Sequence, residues 1–194
     1  MINNVLTILQ DKLNGPNGLY NSNFPNDLEI AVVGDIAKHD DDTQRLNDKV
    51  IISLLSAEEE STLKNMPRYQ QVVVDDKPVR YDKESTPAYL NLYVMIAANR
   101  SVYSKALLNI SKVIEIFQTN NVLEYAATDP KDNFKFRIEL HSVPFDQLSY
   151  IWGLLGGKIM PSVLYKISVI KITANQTTPI ELINDVNIQS IKVN

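Results

Sequence analysis

Residues 146–172, DQLSYIWGLLGGKIMPSVLYKISVIKI, set a Gly-Gly-Lys between a helical pattern and a strand, and this stretch reads either as a phosphate cradle or as a corner. A phosphate loop follows a strand, opens a helix and has the form G-x-x-x-x-G-K-[ST], so that backbone N–H groups and a helix N-terminus converge on the anion. Here the order of elements is reversed. Trp152 stands five residues before Gly157, and Ile159 after Lys158 has no hydroxyl for a magnesium ion. The corner reading accounts for every position. Leu148, Ile151, Trp152 and Leu155 recur at helical spacing, and Gly156 and Gly157 supply a left-handed helix stop. Pro161 blocks continuation, and a strand is predicted over 162–172, with Val163, Tyr165, Ile167 and Val169 opposite Leu164, Lys166, Ser168 and Ile170.

Working outward, Phe134, Phe136, Ile138 and Leu140 alternate with Lys135, Arg137, Glu139 and His141, the pattern of an antiparallel strand with one wet face. A helix is predicted over 102–118, capped by Ser101, with a core stripe of Tyr103, Ala106, Leu107, Ile110, Val113, Ile114 and Phe117. Leu108 falls off that stripe, beside Lys105, Lys112 and Glu115, as a stray exposed leucine or a subunit contact. Residues 88–98 form a strand covered on both faces: Leu90, Leu92, Val94 and Ile96 point one way, Tyr89, Asn91, Tyr93 and Met95 the other.

The N-terminal part begins with a helix whose apolar side is Ile2, Val5, Leu6, Leu9 and Leu13, with Asn3 as its cap and Gly15 as its stop. A loop at 14–27, a short strand at 28–34 and the solvated KHDDDTQ connection follow. Residues 50–57 are apolar on both faces, which places them in a sheet interior. Residues 61–87 are the least core-like segment and read as an excursion, a hairpin with Asp75-Asp76 at its turn. Near the C-terminus, Thr178, Pro179 and Glu181 have the form of a capping box and predict a helical turn over 179–184. DVNIQSIKVN beyond it has β character, with Asp185 at its start, Val186 and Ile188 in one phase and Ile191 and Val193 in the other. It is either an edge strand of the chain's own sheet or an arm added to a neighbour's. The expected division is a domain over 1–173 and a C-terminal arm, helical turn plus strand, over 174–194. The expected fold is α+β: one domain in which a mostly antiparallel, mixed sheet is packed by about three helices.

With 194 residues, 44% of them hydrophobic, the chain can bury one core of ordinary size. Its net charge of -4 and the absence of any Lys/Arg run argue against nucleic acid as a partner. The absence of cysteine removes thiolate nucleophiles, zinc–thiolate sites and disulfides together. Met-Ile-Asn-Asn has no basic n-region, so a standard export signal is not expected, and no apolar run is long enough to span a bilayer.

Chemistry has thin support. His39 with Asp40, Asp41 and Asp42 lacks the glycine and distal glutamate of a calcium loop and reads as a solvated turn. His141 reads as a surface residue, and Glu58, Glu59 and Glu60 as a solvated strand end. No serine sits in a G-x-S-x-G elbow. Neither a catalytic set nor a cofactor or metal site is expected. A binding or adaptor module using the wet face around Lys135, Arg137 and Lys166 is the alternative to a structural role.

Three blocks in register, KVIISLLSAEEESTLKN (49–65), PAYLNLYVMIAANRSVYSKALLNISKVIEIFQ (87–118) and LSYIWGLLGGKIMPSVLYKISVIKI (148–172), resemble a domain of the tail cap, or tube–sheath terminator, proteins of extracellular contractile injection systems, antifeeding-prophage-like particles. The resemblance spans about residues 3–172 and is most specific at Trp152-Gly153, Gly157-Lys158 and Pro161–Lys166. It implies a phage tail-terminator-like fold and a structural role. Copies would form a homohexameric ring that ends the inner tube and clamps the last sheath ring, with no catalytic residues. It implies manufacture in the bacterial cytoplasm and incorporation into a particle, released or anchored, without direct membrane insertion. It also favours an arm role for Asp185, Val186, Ile188, Ile191 and Val193.

Overall fold

A computed structural model describes residues 1–19, 30–39, 45–60, 69–74, 77–84, 88–129, 133–172 and 177–181. In chain order the elements are α1 (Ile2–Asn14), β1 (Ala31–Val33), β2 (Lys49–Glu59), β3 (Tyr69–Val74), β4 (Lys77–Glu84), β5 (Ala88–Asn99), α2 (Tyr103–Thr119), β6 (Val122–Tyr125), β7 (Phe134–Leu140), α3 (Phe145–Leu154), β8 (Ser162–Ile172) and β9 (Thr177–Glu181). Six strands make one sheet in the order β1-β2-β5-β8-β7-β6, parallel only between β1 and β2. A second sheet holds β3-β4-β9, all antiparallel. The α+β, mixed-sheet, three-helix expectation describes this architecture.

The two longest ladders place β5 between β2 and β8, and the side-chain alternation of β5 divides the core in two. On one face Leu92, Val94 and Ile96 pack with Val5 and Leu9 of α1 and Val113 and Phe117 of α2. On the other, Met95 and Ala97 pack with Ile51, Leu164 and Trp152 of α3. Helices therefore cover both faces of the central strands.

Local chemistry explains how the helices end. At the end of α3, Gly156 and Gly157 have φ of 102° and 78°, and the Gly157 N–H donates to the Trp152 carbonyl at 2.7 Å, the long closing bond of a Schellman stop. The 146–172 stretch is thus a corner that turns the chain from α3 into β8. α1 ends differently. Gly15 is extended, with φ of -72°, and the residue that must be glycine is Gly18, where an added Cβ would lie 2.0 Å from the Leu13 carbonyl oxygen. Asn14 then fastens the helix to the sheet edge: its Oδ1 accepts from the N–H groups of Ile30 and Ala31, and its Nδ2 donates to the Ala31 carbonyl at 2.8 Å. One side chain so satisfies the start of the outer edge of β1, at Ala31, as a neighbouring strand would.

The expected excursion at 61–87 contains the hairpin β3–β4, while Asp75 and Asp76 lie outside the described residues. Three expectations are corrected. The helical turn predicted from the Thr178–Glu181 capping box is instead strand β9, paired with β4 from Arg80↔Glu181 to Glu84↔Thr177. Thr177, Thr178 and Ile180 are β-branched, and Pro179 is tolerated because β9 is an edge strand. The cap of α1 is Met1 rather than Asn3, without a side-chain bond. The cap of α2 is Val102 rather than Ser101, again without one, because the Ser101 hydroxyl is turned toward Asp48.

Trp152 is buried against Ile51, Met95 and Leu164, so Trp152→Ala should destabilise the fold by about 3–5 kcal/mol in denaturant unfolding. A loss below about 1 kcal/mol would show that α3 is dispensable to the core. Tyr165 is buried on the opposite face, edge-on to Phe117 at 5.3 Å, and its hydroxyl meets no hydrogen-bond partner among the described residues. Burial pushes its pKa from 10.0 up to about 12. The fold therefore favours the neutral phenol: this stability is complete below pH 10.0 and is lost as the pH rises toward 12. Tyr165→Phe should leave stability at neutral pH equal or higher, since no bond is broken, and should blunt the alkaline loss in melts across that range.

Candidate functional site

Exposed apolar surface on two helices is the main feature that the described residues present to solvent. α2 presents a different face to the sheet from the one its apolar stripe predicts. Ala106, Asn109, Val113, Ile116 and Phe117 are buried, whereas Tyr103 and Leu107, expected in the core, are 67% and 46% exposed. The apolar arc of the helix is wider than the sheet can cover. Leu108, on the polar side of the helix, is 50% exposed, which fits both of its sequence readings and separates neither.

The start of α2 is held by a compact polar knot. Asp48, in the left-handed region at φ 56°, accepts at Oδ1 from the Ser101 N–H (2.8 Å) and hydroxyl (2.9 Å). Buried Arg100 donates Nη1 to the Asp48 carbonyl at 2.6 Å, with its Nε 3.6 Å from Oδ1. Partial burial raises the Asp48 pKa, but the two Ser101 bonds and the charges of Arg100 and Lys105 outweigh it and hold the carboxyl below its ordinary value.

On the opposite sheet face, α3 lies over a groove of about 570 Å³ whose apolar walls are Leu55, Tyr93, Ile151, Leu154, Leu155 and Leu164, with Ser56 and Glu58 also lining it. His141 lines it too, edge-on to Tyr93 at 5.1 Å. The outward side of α3 is apolar as well: Leu154 is 87% exposed, and Phe145 and Tyr150 are also in solvent. Only the inward stripe of α3 was legible from spacing. The signal for its outer side is that Asp146, Gln147 and Ser149 are its only strongly polar residues.

Two histidine readings change. His39, expected in a solvated turn, is buried, with Nδ1 2.9 Å from the Ile36 carbonyl in a 3-10 turn over Ile36–Lys38; Asp40, Asp41 and Asp42 lie outside the described residues. His141 is half-buried beside Tyr93 rather than fully on the surface. Glu60 at the strand end accepts from Asn91 Nδ2 at 2.7 Å. Among the described residues no three His, Asp or Glu side chains gather as a metal site, and no helix is long and apolar enough to cross a membrane.

The wet face of β7 alternates in sign. Lys135 pairs with Glu124 at 3.1 Å, Arg137 with Glu139 at 3.4 Å, and Glu139 stands opposite Lys166 in the ladder. That alternation leaves no single-sign patch to steer a charged partner. Asp185, Val186, Ile188, Ile191 and Val193 lie outside the described residues.

The fold is thus an α+β sheet clad on both faces by helices, with apolar helix surfaces left exposed. The chain belongs to the Pvc16 N-terminal domain family, whose model matches residues 4–184. Its fold is similar to that of the sheath/tube terminator of PVC, an extracellular contractile injection system, in the extended state: the TM-score is 0.62 at 15% identity, covering 100% of this chain and 65% of that one. It is also similar to the tube-terminating cap of the anti-feeding prophage, with a TM-score of 0.63 at 14% identity, covering 97% of this chain and 60% of that one. The chain therefore spans less than two thirds of the length of either structure. No curated protein sequence gives a significant match.

The Asp48 knot predicts an acid response. A carboxyl held below its ordinary value adds stability that is present above about 3.8 and lost as the pH falls through its lowered folded value. Asp48→Asn keeps an acceptor and tolerates the left-handed backbone. It should lower stability at neutral pH and flatten the acid loss in melts between about pH 5 and pH 2. Equal acid slopes in both proteins would remove Asp48 from this role.

Proposed function

We propose that this chain is a cap of a contractile injection particle. Copies of it close a six-fold ring that ends the inner tube and holds the last ring of the sheath. The observation that carries this reading is the likeness of its fold to a sheath/tube terminator and to a tube-terminating cap, joined to membership in the Pvc16 N-terminal domain family. The physical logic is that a polymer of head-to-tail contacts grows until its free end is covered by a closed ring. Such a ring needs broad surfaces and no turnover chemistry, which agrees with exposed apolar helix faces on both sides of the sheet. The role is non-enzymatic and uses no cofactor or nucleic acid. Its partners are other copies of the chain and the tube and sheath proteins, with Leu108 and the segment Asp185, Val186, Ile188, Ile191 and Val193 as contact residues. It is made in the bacterial cytoplasm and leaves it, if at all, as part of the particle.

Removing the gene from a particle-producing strain tests this reading. Negative-stain images should then show tubes of irregular length and sheaths that detach or fail to persist. Particles of normal length with stable sheaths would contradict it.

A further inference from the structure

We propose that the turn closing α1 carries a spontaneous modification site, Asn17, which loses its side-chain amide to become aspartate or isoaspartate, while the fold protects Asn14 from the same reaction. The chain reads Asn14-Gly15-Pro16-Asn17-Gly18, and these are its only two Asn-Gly pairs. In such a pair the backbone nitrogen of the glycine attacks the asparagine Cγ, and glycine has no Cβ to obstruct the approach. A C–N bond forms, closing a succinimide ring, and the side-chain nitrogen leaves as ammonia. Water then opens the ring at either carbonyl, giving aspartate or isoaspartate. The sequence consumes water and needs no catalyst, cofactor or oxidant.

By sequence the two asparagines are alike, and the structure separates them. Asn14 is half-buried and its carboxamide is held on both sides: Oδ1 accepts from the N–H groups of Ile30 at 3.1 Å and Ala31 at 2.8 Å, and Nδ2 donates to the Ala31 carbonyl at 2.8 Å. Swinging its Cγ onto the Gly15 nitrogen gives up these bonds to the edge of β1. Asn17 is exposed, on the wall of an open recess with Asp11, Lys12, Lys112 and Glu115. The bond that its reaction must break is the one from the Gly18 N–H to the Gly15 carbonyl, at 2.8 Å. A single bond within a surface turn opens more readily than a set anchored to a sheet, so Asn17 reacts first. The product disturbs the fold. Isoaspartate adds a carbon to the main chain beside Gly18, which has no room to shift, since a Cβ there would lie 2.0 Å from the Leu13 carbonyl oxygen. The lengthened turn no longer fits the Gly18 bond together with the bond from the Leu19 N–H to the Leu13 carbonyl, at 2.7 Å, and these end α1 and seat Leu19 in the core. Either product also sets a new carboxylate in the recess with Asp11 and Glu115. The turn thus records the age of the protein, whatever assembly it joins.

Ageing the full-length protein in warm, mildly alkaline buffer tests this, with samples taken over weeks. Fragment-ion sequencing of digests assigns the amide-to-acid mass gain to each asparagine separately, and an isoaspartate-specific methyltransferase counts the isoaspartate. A parallel sample is aged unfolded in concentrated urea. The folded protein should convert Asn17 several-fold faster than Asn14, and the unfolded chain should convert both at similar rates. The modified fraction, separated by its added charge, should melt at a lower temperature than fresh protein. Asn17→Gln, aged alongside, should keep its original melting temperature. Equal conversion of the two positions in the folded protein, or faster conversion of Asn14, would overturn the proposal. So would a folded protein unchanged at Asn17 while its unfolded sample reacts, or an equal loss of melting temperature in aged Asn17→Gln.

Discussion

The structure depends on the burial of both faces of β5 and of the strands beside it. Leu92, Val94 and Ile96 on one side and Met95 and Ala97 on the other are all fully buried, so neither face can meet water. A strand in that position requires a covering layer above and below. α1 and α2 supply one layer and α3 the other, and each must be brought over its face by a connection that ends its helix at a defined residue. Gly156 and Gly157 do this for α3, and Asn14 with the turn at Gly18 does it for α1. Trp152, the only tryptophan, plugs the smaller core, together with Ile36 of the 3-10 turn and Leu46.

From that constraint comes the surface. The sheet is curled and finite, and each helix meets it along a limited arc. α2 spends its arc on Ala106, Asn109, Val113, Ile116 and Phe117, so apolar residues remain on its outer flank. α3, apolar nearly all round, seals Trp152 inward and leaves Leu154, Tyr150 and a groove outward. A monomer that keeps such patches on two faces invites association. The apolar surface left over on α2 and α3 is what the fold offers to partners.

Much of the fold was legible because its signals are local. The helix–glycine–proline–strand run of 146–172, the alternation of 134–140 and the hairpin at 69–84 each follow from backbone preferences within a few residues. What stayed hidden depends on distant partners. Spacing shows which side chains of α2 can be buried but not which arc the sheet will take, and so Tyr103 and Leu107 were expected in the core. The Thr178–Glu181 box reads as a helix start until β4 offers a ladder, and the strand wins there. His39 is a different case: its partner Ile36 is only three residues away, and no pattern in the sequence marks the 3-10 turn that brings them together. Asn14, which no motif marks, turned out to tie α1 to β1 across seventeen positions of sequence. The surfaces of the candidate site were the least legible part, since an interface is defined by what the fold fails to cover.

The most direct measurement is a cryo-EM reconstruction of the terminal segment of a purified particle carrying this chain. Density for a closed ring of its copies is expected at one end of the tube, in contact with the last sheath ring and absent along the shaft. Density spread along the shaft, or an end built without this chain, would contradict it.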